Sequence, residues 1–404
     1  MNNLKRILFV IDSITCGGAE KGLISLLNNI EYSNYDVDLL YFCHENEYYL
    51  NEIPNQVHII EPDLVTQLAL SSGGYVLSHV WNFHYLSLII KRILFGIMGK
   101  IDRDSYFRRR AKDWKILRRY IPELEKKYDA AIAYLENYPV YFTLDKVKAK
   151  KYIVWQRTDY KKTGCKAEWD LPYFQRADTI CVLSEEMKNN FLSEFPGIKE
   201  KVVIFPNIVD IKNILEKSKE NISFDDAYSG FRIVSVGTLR HVKGYDVSMR
   251  ACKRLLEKGY DFRWYIIGSG EELKQMQKEI MHLGIEERFI LLGNKRNPYA
   301  FVAQSDIFVQ CSYREGFSTT VFEAKCLQKP IVITDAPGMK NQIEHGVNGI
   351  IVPTGNSDEV ANAVEKLMNS KDLRMELSEN LKSHLENSNV DIKRRLELFD
   401  KITG

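Results

Sequence analysis

Two glutamates eight positions apart, Glu315 and Glu323, flank the run Gly316-Phe317-Ser318-Thr319-Thr320, where a strand-like pattern gives way to a helical one. Glu315 falls in the loop and Glu323 in the helix, so both carboxylates can turn toward one ligand while residues 316–320 offer the free N–H groups of a helix start. Carboxylates accept hydrogen bonds from sugar hydroxyls, and helix-start amides bind phosphate. A phosphorylated sugar suits both, although a capped helix carrying two unrelated acids would give the same letters. A second run, from Val236 through Gly237, Thr238, Arg240 and Lys243 to Gly244, puts two cations on a loop leaving a strand, where open α/β sheets meet phosphate ligands. Gly268-Ser269-Gly270 repeats the strand-loop-helix grammar but has Leu273 where a dinucleotide fingerprint has its third glycine. Near the start, Gly17-Gly18 follows a strand pattern, and glycines there let backbone N–H groups approach an anion. No Gly-Lys-Ser/Thr follows, so this is not a Walker A loop, and a tight turn is the plain alternative.

Such loops need parallel sheets to hold them. Short β-branched runs alternate with amphipathic stretches along most of the chain, the pattern of an α/β protein with helices on both faces of parallel sheets. Strands are expected at 6–11, 37–42, 57–60, 130–135, 152–155, 179–183 and 202–205, and again at 232–236, 264–267, 289–292, 307–310, 331–334 and 350–352. The grammar runs twice, giving two Rossmann-like domains: 1–206, a polar linker 207–230, and 231–385. Helices are expected at 372–386 and 390–402, the terminal segment 386–404 crossing back to the first domain. Residues 64–125 break the alternation as a helical excursion. From Lys91 to Arg119 it holds eleven basic residues against three acidic ones, a local net charge of +8. Beside the apolar 86–101, this segment suits an anionic membrane face or an anionic substrate; a solvated basic helix next to a buried one is the alternative.

Composition narrows the field. The 404 residues, 45% hydrophobic and 27% charged, describe an ordinary globular chain, and a formal charge of +2 supplies no field for nucleic acid. Seven scattered cysteines without C-x-x-C spacing suggest neither a disulfide framework nor zinc, which favours a reducing cytoplasm. The amino terminus lacks the cleavage pattern of a secretory signal, and the apolar stretch 85–101, interrupted by Lys91 and Arg92, is short for a membrane span. Asp36-Val37-Asp38 and Asp102-Arg103-Asp104 have D-x-D spacing and read as strand edge and surface. His79 and His84 lie near the basic excursion and are candidates for an acceptor side, with Trp81, Phe83 and Tyr85 as packing or membrane-edge aromatics.

Taken in order, Gly17-Gly18, Val236-Gly237 through Lys243-Gly244, Gly268-x-Gly270, Glu315-x7-Glu323 and Asn348-Gly349 resemble the GT4 family of retaining glycosyltransferases. The resemblance covers nearly all of the second domain. In the first it rests on the glycine pair, on Trp155-Gln156-Arg157-Thr158-Asp159 and on Asn207. It implies a GT-B fold, two Rossmann-like domains facing across a cleft. It also implies that Glu315 contacts the donor sugar, Glu323 the ribose, and Arg240 and Lys243 the diphosphate. Gly17, Gly18, Gly268, Gly316, Phe317, Ser318 and Thr319 would complete the donor site, with Arg157, Asp159 and His79 on the acceptor side. The implied reaction moves a hexose-type sugar from a nucleoside diphosphate, a uridine one by preference, with retention and without a protein nucleophile. No metal or cofactor is implied, because cations and helix-start amides can stabilise the leaving diphosphate. The acceptor by the same analogy is a lipid-linked glycan in bacterial surface polysaccharide assembly. The enzyme would then work in the cytoplasm on the inner membrane face through 85–119.

This chain departs from the family pattern at three places. Thr238 stands where relatives often have Arg, Arg157 where they have His, and Asn341, after Gly338, where they often have Glu. Two other readings stay open: a sugar-nucleotide epimerase of the same architecture, and a non-catalytic subunit that activates a partner transferase.

Overall fold

The computed structural model describes residues 4–15, 17–44, 47–71, 73–78, 85–101, 105–315 and 317–404, with the backbone alone for 73, 96–101 and 383–391. The chain divides into two compact units, residues 1–209 with 392–404, and residues 210–391.

The first unit is built on β1 (Lys5–Ser13), β2 (Tyr35–Cys43), β3 (Val57–Ile60), β4 (Lys127–Ala133), β5 (Lys148–Gln156), β6 (Thr179–Val182) and β7 (Val202–Ile204), in the order β3-β2-β1-β4-β5-β6-β7. Every pairing is parallel; Phe9 lies opposite Leu39 on one side and Ile132 on the other. The second unit holds β8 (Phe231–Val236), β9 (Phe262–Ile267), β10 (Phe289–Gly293), β11 (Ile307–Gln310), β12 (Ile331–Thr334) and β13 (Ile350–Val352), ordered β10-β9-β8-β11-β12-β13 and again parallel. All thirteen expected strands are present. Of these, β4 stops at Ala133, and Tyr134 adds one last bond, its N–H donating to the Val10 carbonyl.

Parity along the central strands explains the layering. Leu8 and Val10 point into one layer with Ala131, Val154 and Trp114, whereas Ile7, Phe9 and Ile11 point into the other with Ile132, Ile153 and Phe399. A strand buried on both faces reads as a continuous apolar run, and residues 7–11 are all fully buried. In each sheet the order reverses once, between β1 and β4 and between β8 and β11, the switch points at which such sheets bind ligands.

Two sequence expectations need correction. The end of the chain is one continuous helix, Lys371–Thr403, rather than two. Asn387, Ser388 and Asn389 lower helix propensity by only a few tenths of a kcal/mol each, and no Gly or Pro intervenes to break it. Its last residues pack in the first unit, where Phe399 stacks on Phe9 and Tyr35 donates to Asp400 Oδ1 at 2.5 Å. The Asp36–Asp38 pair lies inside the sheet, not at an edge, because β2 has neighbours on both sides. Asp38 is buried and accepts from Tyr128 and from Lys126 Nζ, both at 2.7 Å.

The excursion between β3 and β4 is helical: Leu64–Leu70, Gly73–Ser78, Leu86–Ile101 and Tyr106–Leu117. Among the described residues no helix is long and apolar enough to cross a membrane.

Candidate functional site

In the second unit the functional residues stand on loops at the carboxyl ends of β8, β9 and β11. After β8 the chain runs through Gly237 to a single 3-10 turn, His241–Lys243, and then turns at Gly244 into the helix Tyr245–Glu257. Gly244 has φ +67, and a Cβ there would lie 2.0 Å from the Cys311 carbonyl oxygen, so only glycine lets this turn press against the end of β11. That contact brings Lys243 to Glu315. Lys243 Nζ donates to Glu315 Oε1 at 2.7 Å, and the two side chains are 17% and 11% exposed. Ser312 donates to the same carboxylate oxygen at 2.8 Å and is itself held by Gln310 Nε2 at 3.0 Å. Glu315 is thus oriented by a lysine 72 positions away and by two polar residues at the end of its own strand.

Glu323 occupies the fifth position of the helix Thr319–Cys326 and is buried, 4% exposed. Ser318, the N-cap, is also buried and makes no side-chain cap; its hydroxyl lies 3.3 Å from that of Thr320 instead. The first-turn N–H groups are therefore not taken by a capping oxygen, which leaves the positive end of the helix for an anion. Phe317 packs against Phe322 with ring centroids 6.1 Å apart. Gly316 lies outside the described residues. Two residues beyond Glu323, burial lowers the pKa of Lys325, whose ammonium donates to the Gln342 carbonyl at 2.7 Å.

Gly268, at φ +149, serves the loops themselves. A Cβ there would sit 1.9 Å from the Gly237 carbonyl oxygen, and one on Gly270 would be 2.3 Å from that of Leu239. The β8 and β9 loops are laced by backbone bonds, Leu239 N–H to Ser269 and Glu272 N–H to Leu239. Arg240 extends away from this packing, 65% exposed, with Nε 4.0 Å from Glu271.

In the first unit, Gly17 is the N-cap of the helix Gly18–Leu27, and Glu20 folds back over it, its carboxylate where a Gly17 Cβ would be. Gly18 has open space at its Cα. Burial raises the Glu20 pKa, with Arg157 opposing and Asp12 and Glu136 adding to the rise. Arg157 is locked in place: it donates to Asn207 Oδ1, stands 4.6 Å over the Tyr134 ring, and occupies the space beside Gly22, whose Cβ would be 2.8 Å from its Nη2. Its backbone N–H donates to Glu136 at 3.0 Å. Asp159 caps a local turn, accepting from Lys161 N–H, Asn190 and Lys162. His79, with Trp81, Phe83, His84 and Asp102–Asp104, lies outside the described residues.

Sequence reasoning missed Ser312 and Gln310, whose signal is a polar pair closing an otherwise apolar buried strand. It also missed Glu136 and the fork that Arg110 makes on Asp12 with two bonds of 2.6 Å, which no local spacing announces. Among the described residues no group of three or more His, Cys, Asp or Glu is arranged to hold a metal ion.

Residues 218–384, most of the second unit, match the family Glycosyl transferases group 1. An uncharacterized glycosyltransferase of Methanocaldococcus jannaschii is 32% identical over 56% of this chain and 59% of its own length. The N-acetylgalactosamine-N,N'-diacetylbacillosaminyl-diphospho-undecaprenol 4-alpha-N-acetylgalactosaminyltransferase of Campylobacter jejuni is 26% identical over 57% of this chain and 58% of its own. The chain thus spans less than two thirds of the length of these relatives. The crystal structure of Anabaena HepE in complex with UDP-glucose superposes with a TM-score of 0.67 at 17% identity, covering 98% of this chain and 100% of that one. The second unit therefore carries a group 1 glycosyl transferase domain, and the two parallel sheets have the GT-B fold.

Proposed function

We propose that the chain is a retaining glycosyltransferase that moves a hexose-type sugar from a UDP-sugar to a lipid-linked or polysaccharide acceptor. The observation that carries this reading is the Lys243–Glu315 ion pair together with a buried Glu323, eight positions on, in a helix without a side-chain cap. A cation, a sugar-binding carboxylate, a ribose-binding carboxylate and free helix-start amides are what a nucleotide sugar needs, and all four stand within one unit. On donor binding Lys243 exchanges Glu315 for the diphosphate, and Glu315 turns to the sugar hydroxyls. Lys243, the helix start and exposed Arg240 stabilise charge on the departing diphosphate, so no metal takes part. Support for the nucleotide comes from HepE, solved with UDP and with UDP-glucose. Support for the acceptor comes from the diphospho-undecaprenol in the Campylobacter relative's name and from the capsular polysaccharide biosynthesis glycosyltransferase CapM of Staphylococcus aureus, 25% identical over 52% of this chain. The enzyme works at the inner membrane face, on the cytoplasmic side.

Thermal stabilisation by UDP-, GDP-, CDP- and ADP-sugars in the presence of EDTA tests the reading, since a ligand that prefers the native state raises the midpoint. A shift for one UDP-sugar is expected. No shift with any donor favours the activating-subunit alternative, and conversion of the donor without acceptor favours the epimerase.

A further inference from the structure

The helix Leu86–Ile101 is apolar on two sides. Leu88 and Ile89 are buried in the core of the first unit, and Ile93 and Phe95 pack against that core. On the other side Leu86, Ile90 and Leu94, spaced i, i+4, i+8, are 39%, 48% and 50% exposed. Three large aliphatic side chains in one row on the surface are a patch, not scattered exposure. Leu77, 60% exposed, belongs to the helix Gly73–Ser78 that packs alongside.

The neighbouring helix Tyr106–Leu117 supplies charge. Its buried side is taken by Arg110, which holds Asp12, and by Ala111, Trp114 and Leu117. Lys112, Lys115 and Arg119 are exposed, with Ile116, 39% exposed, among them. The two helices are tied together where the stripe runs: Lys91, next to Ile90, donates to the Tyr120 hydroxyl, and Arg92 lies in the field of Asp113. Arg119 adjoins Tyr120. An exposed aliphatic stripe on one helix and exposed cations on its neighbour, Lys115 among them with its ammonium 4.1 Å over the Trp169 ring, thus share a segment of net charge +8.

We infer that this surface docks on an anionic phospholipid bilayer, with Leu86, Ile90 and Leu94 entering the headgroup region and Lys112, Lys115 and Arg119 meeting lipid phosphates. Charge selects the occupant: apolar side chains alone would suit a second copy of the chain, but the cations of the neighbouring helix repel their own copy and attract an anionic interface. The inference rests on the membrane-facing part of the function proposed above and names its surface.

Sedimentation with vesicles tests it without donor or acceptor, so it is independent of activity. The full chain should bind vesicles of equal parts phosphatidylcholine and phosphatidylglycerol and scarcely bind phosphatidylcholine alone. Raising salt from about 0.1 M to about 1 M should release it. Replacing Lys112, Lys115 and Arg119 together by Gln should lower the partition coefficient about a hundredfold, at about fivefold per cation. Ile90→Gln with Leu94→Gln should lower it about tenfold. Unchanged thermal midpoints and nucleotide-sugar stabilisation show that the variants are folded. Equal binding to both vesicle types, or variants that bind like the parent, overturns the inference. So does a parent that ignores vesicles but self-associates through Ile90 and Leu94. Vesicle binding without any nucleotide-sugar stabilisation would keep this surface and remove the glycosyltransferase reading.

Discussion

Lys243→Met and Glu315→Gln should have opposite effects on nucleotide affinity, although each breaks the same ion pair. In the free protein Lys243 Nζ sits 2.7 Å from Glu315 Oε1, both side chains largely buried, so Glu315 holds the place that a diphosphate oxygen takes in the complex. A charge-assisted hydrogen bond is worth about 1.5–3 kcal/mol, of which about 1 kcal/mol goes to releasing Glu315 when the diphosphate arrives. Lys243→Met should therefore weaken UDP binding about tenfold. Glu315→Gln removes the competitor, so UDP should bind unchanged or up to about fivefold tighter. Turnover should fall by about a hundredfold as the sugar loses an oriented carboxylate. Isothermal titration with UDP, followed by turnover with the stabilising UDP-sugar, reads both quantities. Lys243→Met also strands Glu315 with Ser312, so its stability should drop by about 2 kcal/mol, or about 4–8 °C in midpoint. The argument fails if Glu315→Gln weakens UDP as much as Lys243→Met does, or if Lys243→Met binds UDP like the parent.

Other outcomes follow from the same geometry. Glu323→Ala should weaken UDP about tenfold or more while leaving pyrophosphate affinity alone, as expected of a buried carboxylate that meets ribose; equal losses for both ligands in titration would deny that contact. Gly268→Ala should lower the thermal midpoint by about 6–10 °C, because its Cβ would overlap the Gly237 carbonyl oxygen. Gly284→Ala, at φ +64 with open space around it, should cost only about 1 kcal/mol. Burial raises the Asp113 pKa to about 6 despite Arg92, Arg109, Arg110 and Lys112 around it. The native state then holds this proton more tightly than the unfolded chain, so stability falls as pH rises from about 4 to about 6. Asp113→Asn should be about 1–2 kcal/mol more stable than the parent at pH 7 and no different near pH 3, below both values; a gain of equal size at both pH values in urea melts would refute this.

The fold was legible in the sequence because its signals are local. Continuous apolar runs such as residues 7–11 and the helical spacing between them follow from the two backbone periods, and they located every strand of both sheets. The glycines at 244 and 268 and the helix start after Ser318 were legible for the same reason, since turn and helix-start chemistry acts over a few residues. Where the sequence expected a break near 387, weak propensities were overruled, and one helix continues to Thr403.

Which charges meet was beyond the sequence. Lys243 and Glu315 both stood out as candidates, yet nothing in their spacing joins a loop after β8 to one after β11; parallel pairing of those strands does. Arg110 sits in a basic run that reads as uniform, but packing turns it inward onto Asp12, 98 positions away, and leaves Lys112, Lys115 and Arg119 outside. Arg157 and Asp159, two positions apart in one motif, part in the same way, the first wedged between Gly22 and Asn207 and the second spent on a turn. Periodicity along a chain specifies its elements because backbone geometry repeats locally. The partners of a charged side chain are set by contacts between elements far apart in sequence, and those exist only once the sheets have formed.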